Sequence, residues 1–217
     1  MARILLAGAT GMVGTAALAL LLGDGRVTSV VAPTRRPLGT HPKLLNPIVD
    51  SGTLPHHAEW WTVDGAICAL GTTRAKAKSA AAYRAIDHDY ALAIATRVRE
   101  GGAERFALVT SMGANARSWF LYTRTKGELE DVVERLDFPS LTIVRPGFLG
   151  GVRAEHRPLE GLLGKTLRII APILPAAARI SPAATVAMLL VEGALRHRSG
   201  RRLIESAEIA RAAVRPA

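Results

Sequence analysis

Three side chains in the second half of this sequence could move a proton together. Ser111 ends the run Phe106-Ala-Leu-Val-Thr-Ser111, Tyr122 stands eleven residues later, and Lys126 follows four beyond Tyr122. On a helix that spacing puts Tyr122 and Lys126 on one face, about 6 Å apart along the axis. A phenol of ordinary pKa, near 10, exchanges protons poorly at neutral pH. A neighbouring ammonium favours its phenolate and brings the group into range. The pattern assigns Tyr122 as the acid–base group, Lys126 as the cation that tunes it, and Ser111 as the hydroxyl that holds a substrate oxygen. The same Tyr and Lys spacing also occurs on ordinary helices, so the pair draws its meaning from the rest of the chain.

Near the N-terminus, Ile4-Leu5-Leu6-Ala7 runs directly into Gly8-Ala9-Thr10-Gly11-Met12-Val13-Gly14, which opens an apolar helix. In this context Gly8 permits a tight strand-to-helix turn, Gly11 lets a pyrophosphate approach the backbone, and Gly14 lets helix and strand pack closely. Backbone N–H groups at Thr10, Met12 and Val13, in and around the first turn, are then free to meet phosphate charge. A site for NAD(H) takes the ribose hydroxyls with a carboxylate after the second strand. Here that strand, Val27–Ala32, ends in Pro33-Thr34-Arg35-Arg36. Two guanidinium groups grip a 2′-phosphate with forked, charge-assisted hydrogen bonds, so Arg35 and Arg36 favour NADP(H) over NAD(H).

The elements that must position these residues read as strand then helix, repeated, which predicts an α/β, doubly wound parallel sheet of the Rossmann type. Predicted strands are Arg3–Ala7, Val27–Ala32, Pro47–Asp50, Ala66–Leu70, Phe106–Thr110, Leu141–Val144 and Arg202–Ile204. Predicted helices are Met12–Leu22, a short one over Leu54–Trp60, Ala75–Glu100, Trp119–Leu136, Leu159–Ile170 and Ala183–Arg198, the last announced by Ser181-Pro182. The 217 residues form one domain, with a cofactor-binding core over 1–146 and a small substrate-binding region over 147–217. Thr34–Asn46 and Gly147–Pro158 read as loops, the second bordering a substrate cleft.

Composition narrows the function class. One cysteine leaves no disulfide scaffold and no cysteine-cluster metal site, which points to a reducing, intracellular setting and, with no export signal expected, to the cytoplasm. The longest apolar runs, Ala16–Leu22 and Ile169–Leu174, are far too short for a membrane span. Although Met1-Ala-Arg before an apolar stretch mimics a secretory leader, Gly8, Gly11 and Gly14 break the run. The formal charge of +10 hints at nucleic acid, but the arginines are scattered from Arg3 to Arg215 and few aromatics stand among them to stack on bases. The densest group, Arg196, Arg198, Arg201 and Arg202, reads as a solvated turn after a helix.

Taken together, the glycine turn, the Ser at the end of the fifth strand and Tyr-x-x-x-Lys on the next helix resemble the short-chain dehydrogenase/reductase family in order and distance. The stretches Cys68-Ala-Leu-Gly-Thr-Thr-Arg74, Phe120–Glu128 and Val144-Arg-Pro-Gly-Phe-Leu149 are similar to its atypical branch, typified by the Tat-interacting oxidoreductase-like proteins. Most of the chain is covered. The resemblance implies that Leu70-Gly71-Thr72, standing where typical members have Asn-Ala-Gly, passes the cofactor's ribose. It also implies that Asp50 meets the adenine amine, that Pro146-Gly147 borders the nicotinamide, and that Lys126 binds nicotinamide-ribose hydroxyls besides tuning Tyr122. Typical members carry an Asn on the helix before the Ser for a proton relay; residues 80–98 contain none, leaving water or the ribose as substitute.

Other residues with chemical potential have plainer readings. Adjacent side chains point apart and no carboxylate pattern accompanies His56-His57, so no metal site is expected. Trp60-Trp61 reads as packing and Cys68 as a small core hydrophobe. Glu155, His156 and Arg157 lie in the cleft loop, where they either touch substrate or are solvated. The reading is an NADP(H)-dependent oxidoreductase acting on a small carbonyl or alcohol substrate, with no membrane or nucleic-acid partner. Helix Trp119–Leu136 offers a surface for two-fold pairing into a homodimer. Two rivals share these residues: a dinucleotide sensor without turnover, and a nucleotide-sugar epimerase or dehydratase, for which residues 147–217 leave little room.

Overall fold

The computed structural model of the chain describes residues 1–50, 54–72, 77–150 and 180–213. Strand β1 (Ala2–Ala7) enters helix α1 (Met12–Gly23) through the glycine turn, and β2 (Val27–Val31) follows. After the short β3 (Leu44–Leu45) and a 3-10 turn at Glu59–Trp61 comes β4 (Gly65–Cys68). Helix α2 (Ala80–Arg84) continues through a π-helical turn, Ala85–Asp89, into α3 (Tyr90–Glu100). Then come β5 (Arg105–Val109), α4 (Leu121–Glu134) and β6 (Ser140–Arg145). A two-residue pair, β7 (Leu149–Gly150) and β8 (Ser181–Pro182), precedes α5 (Ala183–Leu195), β9 (Gly200–Glu205) and α6 (Ser206–Ala212).

Seven strands form one sheet in the order β3-β2-β1-β4-β5-β6-β9, every neighbouring pair parallel. Parallel strands return through helices, and side chains alternate between the sheet's faces. Thus Ile4 and Leu6 pack with Val13, Ala17 and Leu21 of α1 and Val186 and Leu190 of α5, while Leu5 and Ala7 pack with Ile94 and Val98 of α3 and Leu129 and Val133 of α4. Because the strand order reverses between β1 and β4, the loops after those strands diverge to opposite sides and leave a crevice at the sheet's C-terminal edge, where ligands of such folds bind.

The α/β parallel sheet is as the sequence predicts, with corrections at particular elements. The expected third strand, Pro47–Asp50, is not one: the ladder with β2 runs over Leu44–Leu45, and Ile48 makes only an isolated bridge to Thr34. Pro47 carries no N–H to continue a ladder, although its carbonyl accepts from the Thr34 N–H at 3.0 Å. Helix α5 starts at Ala183 as predicted, with Pro182 as its cap, and ends three residues early at Leu195; Ser181-Pro182 is drawn into β8. Neither α6 nor the β7–β8 pair is foreseen. Residues 183–212, assigned from sequence to a substrate-binding region, also build the sheet and its helical layer, with β9 fully in register against β6. The predicted helix Leu159–Ile170, the residues Glu155, His156 and Arg157, and the first residues of Ala75–Glu100 lie outside the described residues.

Candidate active site

The glycine turn is shaped by contacts that no side chain could share. Gly8 has φ +85°, and a Cβ there would lie 2.6 Å from the Ala69 carbonyl oxygen; one on Gly14 would lie 1.9 Å from the Gly8 oxygen. A Cβ on Gly11 would stand 3.3 Å from that same oxygen, filling the concave side of the turn. Gly11 is also the N-cap of α1, in extended conformation with no side chain capping the helix. Thr10 and Gly11 are exposed, Met12 is half-buried and Val13 is buried. The first turn of α1 therefore presents backbone donors and a positive dipole end with no acidic residue beside them. That arrangement fits a pyrophosphate.

Past β2, Arg35 and Arg36 are both exposed on a loop that a network holds in place. The Thr34 hydroxyl donates to the Arg36 carbonyl at 2.7 Å. From below, the Asn46 amide donates to the Ala32 carbonyl at 2.6 Å and the Thr34 hydroxyl at 2.8 Å, and accepts the Leu38 N–H at 2.8 Å. Asn46, which sequence reasoning passed over as loop, fixes the backbone that carries both arginines. Arg35 lines an open cleft of about 260 Å³ with Ile48, Val49 and Asp50. Asp50 follows the Thr34–Ile48 bridge instead of ending a strand, yet still stands at the same edge of the sheet. Tyr90, another residue the sequence did not mark, is close enough to feel Arg35, Asp50 and Cys68, and burial raises its phenol pKa.

Ser111 follows β5 by one residue beyond Thr110, is buried, and its hydroxyl has no hydrogen-bond partner among the described residues. Tyr122 sits in the first turn of α4 with 46% of its surface exposed, its ring centroid 6.0 Å from that of Tyr83. Gly127 brings α4 against the loop leading from Ser111, since a Cβ there would lie 2.2 Å from the Ala116 nitrogen. On the far side, the Met112 N–H donates to the Pro146 carbonyl at 2.8 Å, and the Gly147 N–H donates to the Ser181 hydroxyl at 3.1 Å. Pro146-Gly147 therefore borders the same loop.

Lys126 departs from expectation. It is buried, and its Nζ lies 2.6 Å from Oδ1 of Asp87, so its ammonium is already engaged by a carboxylate. The other oxygen of Asp87 accepts the Thr72 N–H at 2.8 Å. A Cβ on Gly71 would lie 3.7 Å from Asp87 Oδ1 and 4.0 Å from Lys126 Nζ, so Leu70-Gly71-Thr72 runs beside the pair. The helix that lacks the relay asparagine carries a buried carboxylate instead, on the π-turn. Burial and the negative charge of Asp87 raise the pKa of the Tyr83 phenol.

Beneath the site lies a second ionic network. Glu130 on α4 accepts from the Thr110 hydroxyl at 2.5 Å and from Arg145 Nε at 3.0 Å, while Arg145 also reaches Glu205 of β9 at 3.0 Å. Hydrogen bonds to both carboxylates raise the Arg145 pKa. The plainer residues behave plainly: Trp61 is buried with its indole N–H on the Pro55 carbonyl at 3.0 Å, and Trp60 stacks on it with centroids 4.0 Å apart. His56 and His57 are exposed, His56 meeting Arg97. The basic cluster is paired with carboxylates, Arg196 with Glu192, Arg201 with Glu134 and Arg202 with Glu208. Leu129 and Val133 of α4 lie in this chain's own core.

Comparison with known proteins agrees with this architecture. The HIM1 family model matches residues 48–170. A mitochondrial fmp52 protein of Emericella nidulans is 38% identical over 180 residues, covering 76% of this chain and 77% of its own. Rat HTATIP2 (Rattus norvegicus) is 37% identical over 167 residues, covering 75% and 69% respectively. Among solved structures, MoeE5 in complex with UDP-glucose and NAD superposes with a TM-score of 0.69 at 17% identity, over 95% of this chain and 79% of that one. A short chain dehydrogenase family protein from Francisella tularensis gives 0.64 at 15% identity, over 94% and 96%. These structural likenesses show the fold. The cytoplasmic assignment is overturned, because fmp52 relatives at this level of identity are named mitochondrial. Cysteine usage separates oxidising from reducing surroundings and does not tell one reducing compartment from another.

Proposed function

The chain belongs to the HIM1 family, with FMP52 and HTATIP2 as relatives, and on that footing we propose that it is an NADP(H)-dependent oxidoreductase acting on a small carbonyl or alcohol substrate. One observation carries the reading: the Leu70–Thr72 backbone, which runs beside the glycine turn at Ala69, also abuts Lys126, so the phosphate cradle and the acid–base helix meet at one edge of the sheet. Solved neighbours of this fold that hold NAD support a nicotinamide dinucleotide. The preference for its 2′-phosphorylated form rests on Arg35 and Arg36.

When bound, such a dinucleotide supplies or accepts the hydride. Residues Gly8, Thr10, Gly11, Met12, Val13 and Gly14 receive its phosphates at the α1 N-terminus, while Asp50 and Arg35 flank the cleft on the adenine side. Ser111 offers a buried hydroxyl, without a partner among the described residues, to the substrate oxygen. Tyr122 gives that oxygen its proton in reduction and removes it in oxidation. Lys126 holds the ribose side of the site beside Gly71 and Thr72, and Pro146-Gly147 closes the nicotinamide side.

Calorimetry with NADPH and NADH tests the cofactor. NADPH binds more tightly, and replacing Arg35 and Arg36 by Ala shrinks the ratio; an unchanged ratio moves the 2′-phosphate site elsewhere. A panel of ketones and aldehydes tests turnover through loss of NADPH absorbance. Tyr122→Phe then keeps NADPH binding and abolishes consumption, and activity surviving in that variant removes Tyr122 as proton donor. Binding without turnover of any carbonyl by the wild type is the result a sensor would give.

A further inference from the structure

Helix α2, its π-turn and α3 carry a feature that packing alone does not call for. Asp87 and His88 are both buried, at 1% and 6% exposure. Both lie on the π-turn Ala85–Asp89, and such turns recur at functional sites. A carboxylate at that depth is expensive to desolvate, and a buried ion pair is often no more stable than an apolar pair of the same shape. Asp87 is also divided between two elements, one oxygen on the Thr72 N–H of the β4 loop and the other on the ammonium of α4. One turn earlier, Tyr83 is buried close enough to feel the Asp87 charge and sets its ring 6.0 Å from that of Tyr122.

Building on the oxidoreductase reading, we propose that Asp87 is a positioning residue of the dinucleotide site: it clamps Lys126 to the Leu70–Thr72 backbone so that both sides of the ribose seat are held as one unit. The clamp is direct, carboxylate to ammonium. It differs from a relay through an amide in that it compensates the lysine's charge and fixes its Nζ before any ligand arrives. A ribose hydroxyl then meets a lysine already in place, with less ordering left to be done on binding. Asp87 acts through Lys126 and Thr72 without reaching the reacting atoms.

Two variants of the full chain separate this role from simple stabilisation. Asp87→Asn keeps the shape and an oxygen for the Thr72 N–H and loses the charge that holds Lys126; Asp87→Ala loses both. Hydrogen exchange of the free protein reads the clamp: the amides of residues 70–72 exchange about tenfold faster in Asp87→Ala and near the wild-type rate in Asp87→Asn. Calorimetry reads the seat: NADPH Kd rises about tenfold in both variants, and kcat falls while KM for the carbonyl stays within about twofold. Should Asp87→Ala fail to fold, Asp87→Asn decides through Kd and the kcat against KM split. Variants that melt earlier yet bind NADPH as the wild type does make Asp87 a structural pair only and overturn the proposal. If the wild type binds neither NADPH nor NADH, the oxidoreductase reading fails at its own step, and the ribose seat falls with it.

Discussion

The network under the site gives the most quantitative test of how this fold is held. Glu130 is 3% exposed and its carboxylate serves two partners, the Thr110 hydroxyl of β5 and the guanidinium of Arg145 at the end of β6. Breaking a buried ion pair from one side costs about 3–5 kcal/mol because the remaining charge is stranded. Here Arg145 is 18% exposed at its side chain and keeps Glu205 at 3.0 Å, which reduces the cost. Thr110 meanwhile loses its acceptor, adding about 1 kcal/mol. Glu130→Ala is therefore expected to lose about 3 kcal/mol, or roughly 6–12 °C in Tm for a chain of this size. Thermal and urea unfolding followed by circular dichroism measure it. The paired change Glu130→Leu with Arg145→Met removes both charges and should cost much less than the two single losses added together. A Glu130→Ala protein melting within about 2 °C of the wild type, or a double variant that costs the full sum, refutes the claim that these groups are coupled and buried.

Three further outcomes follow from other parts of the structure. Cys68 is the chain's one cysteine, and burial pushes its thiol up to about 11, so an aromatic disulfide reagent should leave the native protein unlabelled and take one equivalent after denaturation; rapid native labelling contradicts the burial. Arg26 joins Asp24 to Glu192 and holds both carboxyls below their ordinary range. Since a depressed carboxyl stabilises the fold above its unfolded pKa and ceases to as pH falls through its folded value, the Tm deficit of Arg26→Leu should be full at neutral pH, begin to shrink as pH falls through about 4, and vanish in stronger acid. A deficit independent of pH would assign it to packing instead. Gly127→Ala would put a methyl 2.2 Å from the Ala116 nitrogen, so it should cost about 1–3 kcal/mol and lower turnover by shifting the loop that carries Ser111; unchanged melting and activity would mean that the loop yields freely.

What the sequence reveals of this protein is what local chemistry alone can specify. The glycine turn is legible because each glycine answers a steric demand, and the structure displays those at Gly8 and Gly14 as backbone contacts no Cβ could survive, with a tight 3.3 Å approach at Gly11. The strands are legible because a parallel strand buried on both faces must be a short apolar run, as β1, β4, β5 and β6 are. The third strand is misplaced because Ile48-Val49 looks like strand, while the ladder is fixed by long-range register with β2 and by the missing N–H of Pro47. Asn46 is invisible for a related reason. An asparagine in a loop is ordinary until the loop it braces is known, and here that is the one bearing Arg35 and Arg36.

Asp87 is the instructive case, because the sequence held enough to find it. A buried lysine cannot stand alone in a medium of low polarity; it must lose its proton or acquire a partner. With Lys126 buried, a carboxylate is owed to it from a neighbouring element, and the adjacent helix offers Asp87 and Asp89. Searching that helix for an amide, by analogy with typical members, asks for one residue type where the physics asks for a negative charge. Choosing between the two acids needs the structure, since the sequence pattern does not say which of Asp87 and Asp89 meets Lys126. On the π-turn Asp87 is buried against Lys126, while Asp89 stays at the surface beside Arg84 and His88.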